Sequence, residues 1–141
     1  MIAANLAAYL QTRSISGFNY QPTLTTGNVF IDHLPDQPDL AVALFNYPGP
    51  APDIRDGYDS PNVQLRVRGG LDPRNAQALL GAIYSELHDL HMVMLPGSVW
   101  LVYCRALQSG VMPLGPDRTG KRLEFTQNFS THYRRPTAHR G

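Results

Sequence analysis

The sequence predicts an α+β fold, a two-layer sandwich in which helices cover one face of a mixed or antiparallel sheet. Three observations lead there. Segments of strand character outnumber helical ones and succeed each other through turn-rich connections. One segment, Pro73–Leu90, carries a continuous helical stripe of apolar side chains. Two others, Val63–Gly69 and Lys121–Arg134, alternate apolar and polar residues so regularly that each must bury one face and wet the other. The resulting order, α-β-β-β-α-β-β, suits two packed layers better than a doubly wound sheet.

Taken in chain order, Ile2–Thr12 places Ile2, Leu6, Tyr9 and Leu10 at helical spacing with alanines between them. Ser14–Gly27 reads as a loop ending in the turn signal Thr25-Thr26-Gly27. Asn28–Leu34 and Leu40–Tyr47 are rich in β-branched and aromatic residues and flank Pro35-Asp36-Gln37-Pro38, which predicts two short strands. Pro48–Pro61 holds four prolines, two glycines and three aspartates, so it reads as a long exposed loop. In Val63–Gly69 the residues Val63, Leu65 and Val67 share one face, leaving Gln64, Arg66 and Arg68 on the other.

Asp72 is a good N-cap and Pro73 suits the first helical position. Ala76, Leu79, Leu80, Ile83, Leu87 and Leu90 then form a stripe of about 100°, as expected for a helix lying on a sheet. Ser98–Leu107 is apolar on both faces near its middle, like a central strand. A Gly/Pro-rich connection, Gln108–Gly120, leads to the last strand. There Leu123, Phe125, Phe129 and Tyr133 oppose a wet set running from Arg122 to His132.

Length and composition agree with this plan. A chain of 141 residues fits one domain, which buries roughly two-thirds of its unfolded surface. We expect that domain to span residues 1–135, with 136–141 as a tail. The 43% apolar and 16% charged content is that of a globular chain. One cysteine, Cys104, allows no internal disulfide. The first ten residues lack the basic start and cleavage site of a signal peptide, and no apolar run reaches the ~20 residues that span a bilayer. A soluble protein of a reducing compartment, without membrane contact, is the expectation.

The net charge of +1 hides an uneven distribution. Through Pro61 six acidic residues face two arginines; from Asn62 onward ten basic residues face five acidic ones. Such halves fit head-to-tail self-association. Equally, folding can intermix them on one surface.

Enzymatic chemistry finds little purchase. Gly115–Arg122 falls one residue short of a phosphate-binding P-loop, with Arg122 where a magnesium-holding hydroxyl belongs and a strand where a helix should follow. His88 and His91 sit three apart near the helix end without a second cluster to complete a metal site. Cys104 reads as a core residue, and no serine lies in a nucleophile elbow. The expectation is a non-enzymatic protein without cofactor or metal. The different-class alternative is a small phosphate-binding enzyme using Gly115–Arg122. A basic patch from Arg66, Arg68, Lys121, Arg122, Arg134 and Arg135 is conceivable, but the pI of 8.0 is below the ~9 typical of dedicated nucleic-acid binders.

With these elements placed, a resemblance emerges. Pro61-Asn62-Val63-Gln64-Leu65-Arg66-Val67-Arg68-Gly69 and the helix pattern Ala76-x-x-Leu79-Leu80-x-x-Ile83-Tyr84-x-x-Leu87 are similar to the tail-terminator or minor capsid proteins of long-tailed bacteriophages. Pro113-Leu114-Gly115-Pro116-Asp117-x-x-Gly120-Lys121-Arg122-x-x-Phe125-x-x-Asn128-Phe129 resembles their closing hairpin. The resemblance implies a virion protein: a hexameric ring that caps the tail tube. It would join the tube to the head connector or stopper, with DNA passing through unread. Head-completion protein, stopper and tail-tube subunit are the alternatives within the class. For such a ring the candidate interface residues are Asp53, Arg55 and Asp56 in the proline-rich loop, Arg66 and Arg68 on the strand, and Asp117, Arg118, Lys121 and Arg122 in the second loop. Because a bore through which DNA slides should not attract it strongly, Arg66 and Arg68 are expected to face a neighbouring subunit.

Overall fold

The computed structural model describes residues 1–23 and 26–141. The Thr25 part of the turn signal before Gly27 lies outside them. Among the described residues there are two α-helices and one open eight-stranded sheet. Helix α1 is Ile2–Gln11 and α2 is Pro73–Leu87. The strands are β1 (Val29–Ile31), β2 (Ala41–Tyr47), β3 (Tyr58–Asp59), β4 (Asn62–Gly69), β5 (Leu90–Leu95), β6 (Val99–Ala106), β7 (Met112–Pro116) and β8 (Leu123–Arg134). The α+β architecture is therefore as the sequence predicts, with a mixed sheet in which only β1 and β2 run parallel.

β8 organises the sheet because it is long enough to serve four partners. One side pairs with β4 from Leu123 to Ser130 and then with β3 at Tyr133 and Arg134. The other pairs with β7 from Leu123 to Thr126 and then with β6 from Phe129 to Tyr133. The remaining order runs β1-β2-β4-β8-β6-β5.

Both helices pack on the same face. Val63, Leu65 and Val67 of β4 and Phe125 and Phe129 of β8 meet Ala76, Leu80 and Ile83 of α2, and Ile2, Leu6 and Leu10 of α1 complete the core. Gly69 lets α2 approach closely, since a Cβ there would lie 3.1 Å from the Cβ of Ala76. Asp72 caps α2 by accepting a hydrogen bond from the Arg74 amide at 3.1 Å.

Three strands were not predicted. The helix stops at Leu87, not Leu90: His88 is extended, Asp89 takes φ +63°, and Leu90 begins β5. Leu90 continues the helical spacing by coincidence and meets the same core from a strand. β3 lies inside the proline-rich loop and β7 inside the Gly/Pro-rich connection, where Pro113 and Pro116 mask it from propensity. β7 runs beside β8 and beyond β6's reach, a peripheral place that tolerates proline.

Candidate functional site: the uncovered face of the sheet

The face opposite the helices is built from alternate residues of β2, β4, β8 and β6. It divides into a closed corner and a bare remainder.

The corner lies where β4 ends and β8 begins. The segment from Leu34 to Asp39 folds over it and is held by two arginines. Arg68 donates from Nη2 to the Pro38 carbonyl at 2.6 Å and from Nε to the Asp39 carbonyl at 3.3 Å. Arg122 donates to Asp117 (2.6 Å), Asp36 (2.8 Å) and Asp39 (3.3 Å), and also to the Asp36 carbonyl oxygen. Arg118 adds a second bridge to Asp36 at 3.2 Å. Asp117 in turn accepts from the amide and hydroxyl of Thr119, which shapes the 117–120 turn. The Thr119 hydroxyl and Arg122 hold its carboxyl down at about 2. Hydrogen bonds from Arg122 and Arg118 likewise lower that of Asp36.

The wet-face expectation is therefore corrected for two residues. Arg68 is 4% exposed and Arg122 6%, and their partners come from residues 36–39, far away in sequence. Buried guanidiniums are stable there because their hydrogen bonds meet carbonyl and carboxylate oxygens of the 36–39 segment and of Asp117. Gly115–Arg122 leads into β8 and not into a helix, and Arg122 is engaged by carboxylates.

The charge asymmetry is also resolved. Among the described residues, six of nine ion pairs join the acidic half to the basic half: Arg13–Glu86, Arg118–Asp36, Arg122–Asp36, Arg122–Asp39, Arg135–Asp59 and Arg140–Asp59. Folding intermixes the halves. Asp59 belongs to this set: burial opposes its ionisation, but hydrogen bonds from Arg140 and Arg135 leave its pKa lowered. The same arginines tie residues 136–141 against the 53–59 loop, where Arg140 also reaches the Asp53 carbonyl at 3.2 Å. At the loop tip the Asp53 carboxylate accepts from the Arg55 and Asp56 amides at 2.7 Å each, while the side chains of Arg55 and Asp56 are exposed.

The bare remainder carries a row of stacked groups that sequence reasoning missed. Tyr58 of β3, His132 of β8 and Tyr103 of β6 stack across three strands, with ring centroids 5.3 and 5.6 Å apart and planes within 17°. A guanidinium closes each end: Arg134 lies 5.7 Å from the Tyr58 ring and Arg105 lies 5.2 Å from the Tyr103 ring. Arg66 sits 5.5 Å from the ring of Phe45. Ser60 Oγ and His132 Nδ1 share a hydrogen bond of 2.6 Å. This pair lacks what nucleophilic catalysis needs, because among the described residues no carboxylate orients the imidazole.

Other sequence candidates fall into structural places. His88 stacks on Tyr84 and accepts from the Ala106 amide at 3.0 Å. Cys104 is buried, and burial pushes its thiol up to about 12, so it is an inert core group. Among the described residues no group of His, Cys, Asp or Glu could hold a metal ion, and no helix is long and apolar enough to cross a membrane.

Comparison with known proteins fits this architecture. A chain of the virion of the native gene transfer agent (GTA) particle has the same fold, with a TM-score of 0.56 and 19% identity over 94% of this chain and 95% of that one. No curated protein sequence is similar enough to count as a relative. The sequence profile described as bacteriophage tail terminator protein matches residues 8–134, which include the motif stretches quoted above, the last turn of α1, all of α2 and every strand. The chain is thus a structural phage protein, and it belongs to the bacteriophage tail terminator family.

Proposed function

We propose that this protein ends tail growth by closing the tail tube with a hexameric ring of its own copies, and that the ring joins the tube to the head connector. The profile match over residues 8–134 carries the reading. The geometry supports it. A sheet covered by helices on one face only leaves a broad second face for a neighbour or a lumen. The exposed tip at Asp53–Asp56 and the exposed Arg118 and Lys121 lie at opposite ends of β8, since β3 pairs with its last residues and the 117–122 turn leads into its first. A ring needs two different patches on each subunit, and opposite ends of one long strand provide them. Arg68, Asp117 and Arg122 act inside the subunit, so their part in an interface is to hold the corner's shape.

A tube of repeating contacts has no intrinsic stop, because each added ring presents the same surface. A subunit that matches the tube below and differs above supplies one. Electron micrographs of particles made without this protein should show heads without attached tails beside free tails, some longer than normal. Tails of normal length beside heads that leak DNA would indicate a stopper instead. Normal infectious particles would refute a role in the neck.

A further inference from the structure

We infer that the bare face of the sheet is a sequence-independent contact surface for the phosphate backbone of duplex DNA, carried by Arg66, Arg105 and Arg134. The inference rests on the proposed neck role only for the presence of DNA and departs from the expectation that Arg66 faces a neighbouring subunit; the chemistry comes from the face itself.

Two arginine populations share this face. Arg68 and Arg122 are engaged by residues 36–39 and Asp117. Among the described residues, Arg66, Arg105 and Arg134 form no ion pair. Arg134 makes one hydrogen bond, to the Gly141 carbonyl at 2.8 Å, and the Nε of Arg66 is buried without a partner. β2, β4, β6 and β8 together contain a single carboxylate, Glu124, and it lies beside the closed corner. Arg66 borders the corner and shares a cavity with Glu124, whereas Arg105 and Arg134 have no carboxylate on their own strands beside them.

Their spacing is regular. In register Arg66 sits beside Thr126 and Arg105 beside Ser130, so with Arg134 the cations recur every four residues along β8. At about 3.3 Å per residue that is a row with steps of ~13 Å and a span of ~27 Å. Each guanidinium lies over an aromatic ring, which fixes its place while leaving edge N–H donors free. A row of preset cations that advances along β8, from β4 on one side to β6 on the other and then to β8 itself, suits an extended line of charge, and duplex DNA is one, with a negative charge per ~1.7 Å of axis. An acidic protein would instead need carboxylates placed to meet each arginine. Nothing on the face reads bases: it is broad and pleated, with no projecting element to enter a groove.

The test uses the full chain and a fluorescently labelled random-sequence duplex. For three phosphate contacts log K should fall with log salt at a slope of about −2.7, weakening binding roughly fortyfold between ~50 and ~200 mM. The triple variant Arg66→Gln, Arg105→Gln, Arg134→Gln should lose at least about tenfold at ~50 mM salt and most of the slope. The triple lysine variant, which keeps charge without planar stacking, should retain the slope and so separates lost charge from lost fold. Arg74→Gln, on the helix side, should change nothing. Absence of binding by the wild type at ~50 mM salt, or a glutamine variant that binds equally well, overturns the inference. So does a glutamine variant that stops self-assembly while binding DNA normally, which would assign the face to a neighbouring protein. Failure here leaves the neck role standing, and normal tails in the absence of the protein would remove the neck role without touching this measurement.

Discussion

The closed corner and the bare row contain the same residue type on the same face of one sheet, yet they do opposite things. At the corner Arg68 and Arg122 are buried and answered by carbonyls and carboxylates from a loop 29 to 86 residues away in sequence. Along the row Arg66, Arg105 and Arg134 have aromatic rings beneath them and, among the described residues, no ion-pair partner. The difference teaches that position on a wet strand face does not decide an arginine's role. What decides it is whether the chain supplies a counter-charge. Where it does, the guanidinium builds structure; where it does not, the charge is left for another molecule.

The largest expected effect of breaking this contrast is at Arg122. Arg122→Ala removes the common partner of three aspartates and leaves the Asp117 carboxylate buried, which should cost about 3 kcal/mol in urea unfolding. A cost below ~0.5 kcal/mol, the range of ordinary surface changes, would mean the corner contributes nothing. Acid should loosen the same corner. A carboxylate held below its ordinary pKa stabilises the fold fully above 3.8, and that contribution disappears as pH falls toward about 2. Wild-type stability should therefore drop across this window, and Asp117→Asn should flatten the drop. An unchanged slope would contradict the assignment.

Substitutions in the row should barely move stability. Each exposed cation–π contact is worth ~0.5–1 kcal/mol, so Arg105→Gln should shift unfolding by no more than that while weakening DNA contact. Smallest of all should be Lys121→Ala: the side chain is exposed and makes no ion pair, so stability should stay within ~0.5 kcal/mol. Nucleotide binding should be absent before and after that change. Saturable ATP binding lost with Lys121 would restore the enzymatic alternative.

The core was legible because its signals are local. The alternation of Val63, Leu65 and Val67 and the stripe from Ala76 to Leu87 each declare a buried face within one element, and both faces are buried. β3, β5 and β7 were not legible for an equally local reason. β3 is two residues in a proline-rich loop, β7 carries two prolines, and Leu90 fits the helical period until Asp89 breaks it with a positive φ. The corner and the stacked row depend on register. Nothing near Arg122 announces Asp36, 86 residues earlier, and Tyr58, Tyr103 and His132 meet only because β3 and β6 flank the same end of β8. The wet-face alternation did place His132, and it could equally have flagged Tyr103 and Arg105, two residues apart on a strand.

The most direct test of the whole account is a cryo-electron microscopy map of tail ends carrying this protein. We predict one ring at the head-proximal end of the tube, with the bare face of each sheet turned toward the bore. Arg66, Arg105 and Arg134 should then lie within about a Debye length, ~8 Å at physiological salt, of the DNA in filled particles. The closed corner should have the same internal pairs as in the free subunit. Subunits that bury the row against a neighbour, or turn it to the outside of the ring, would contradict the account at its centre.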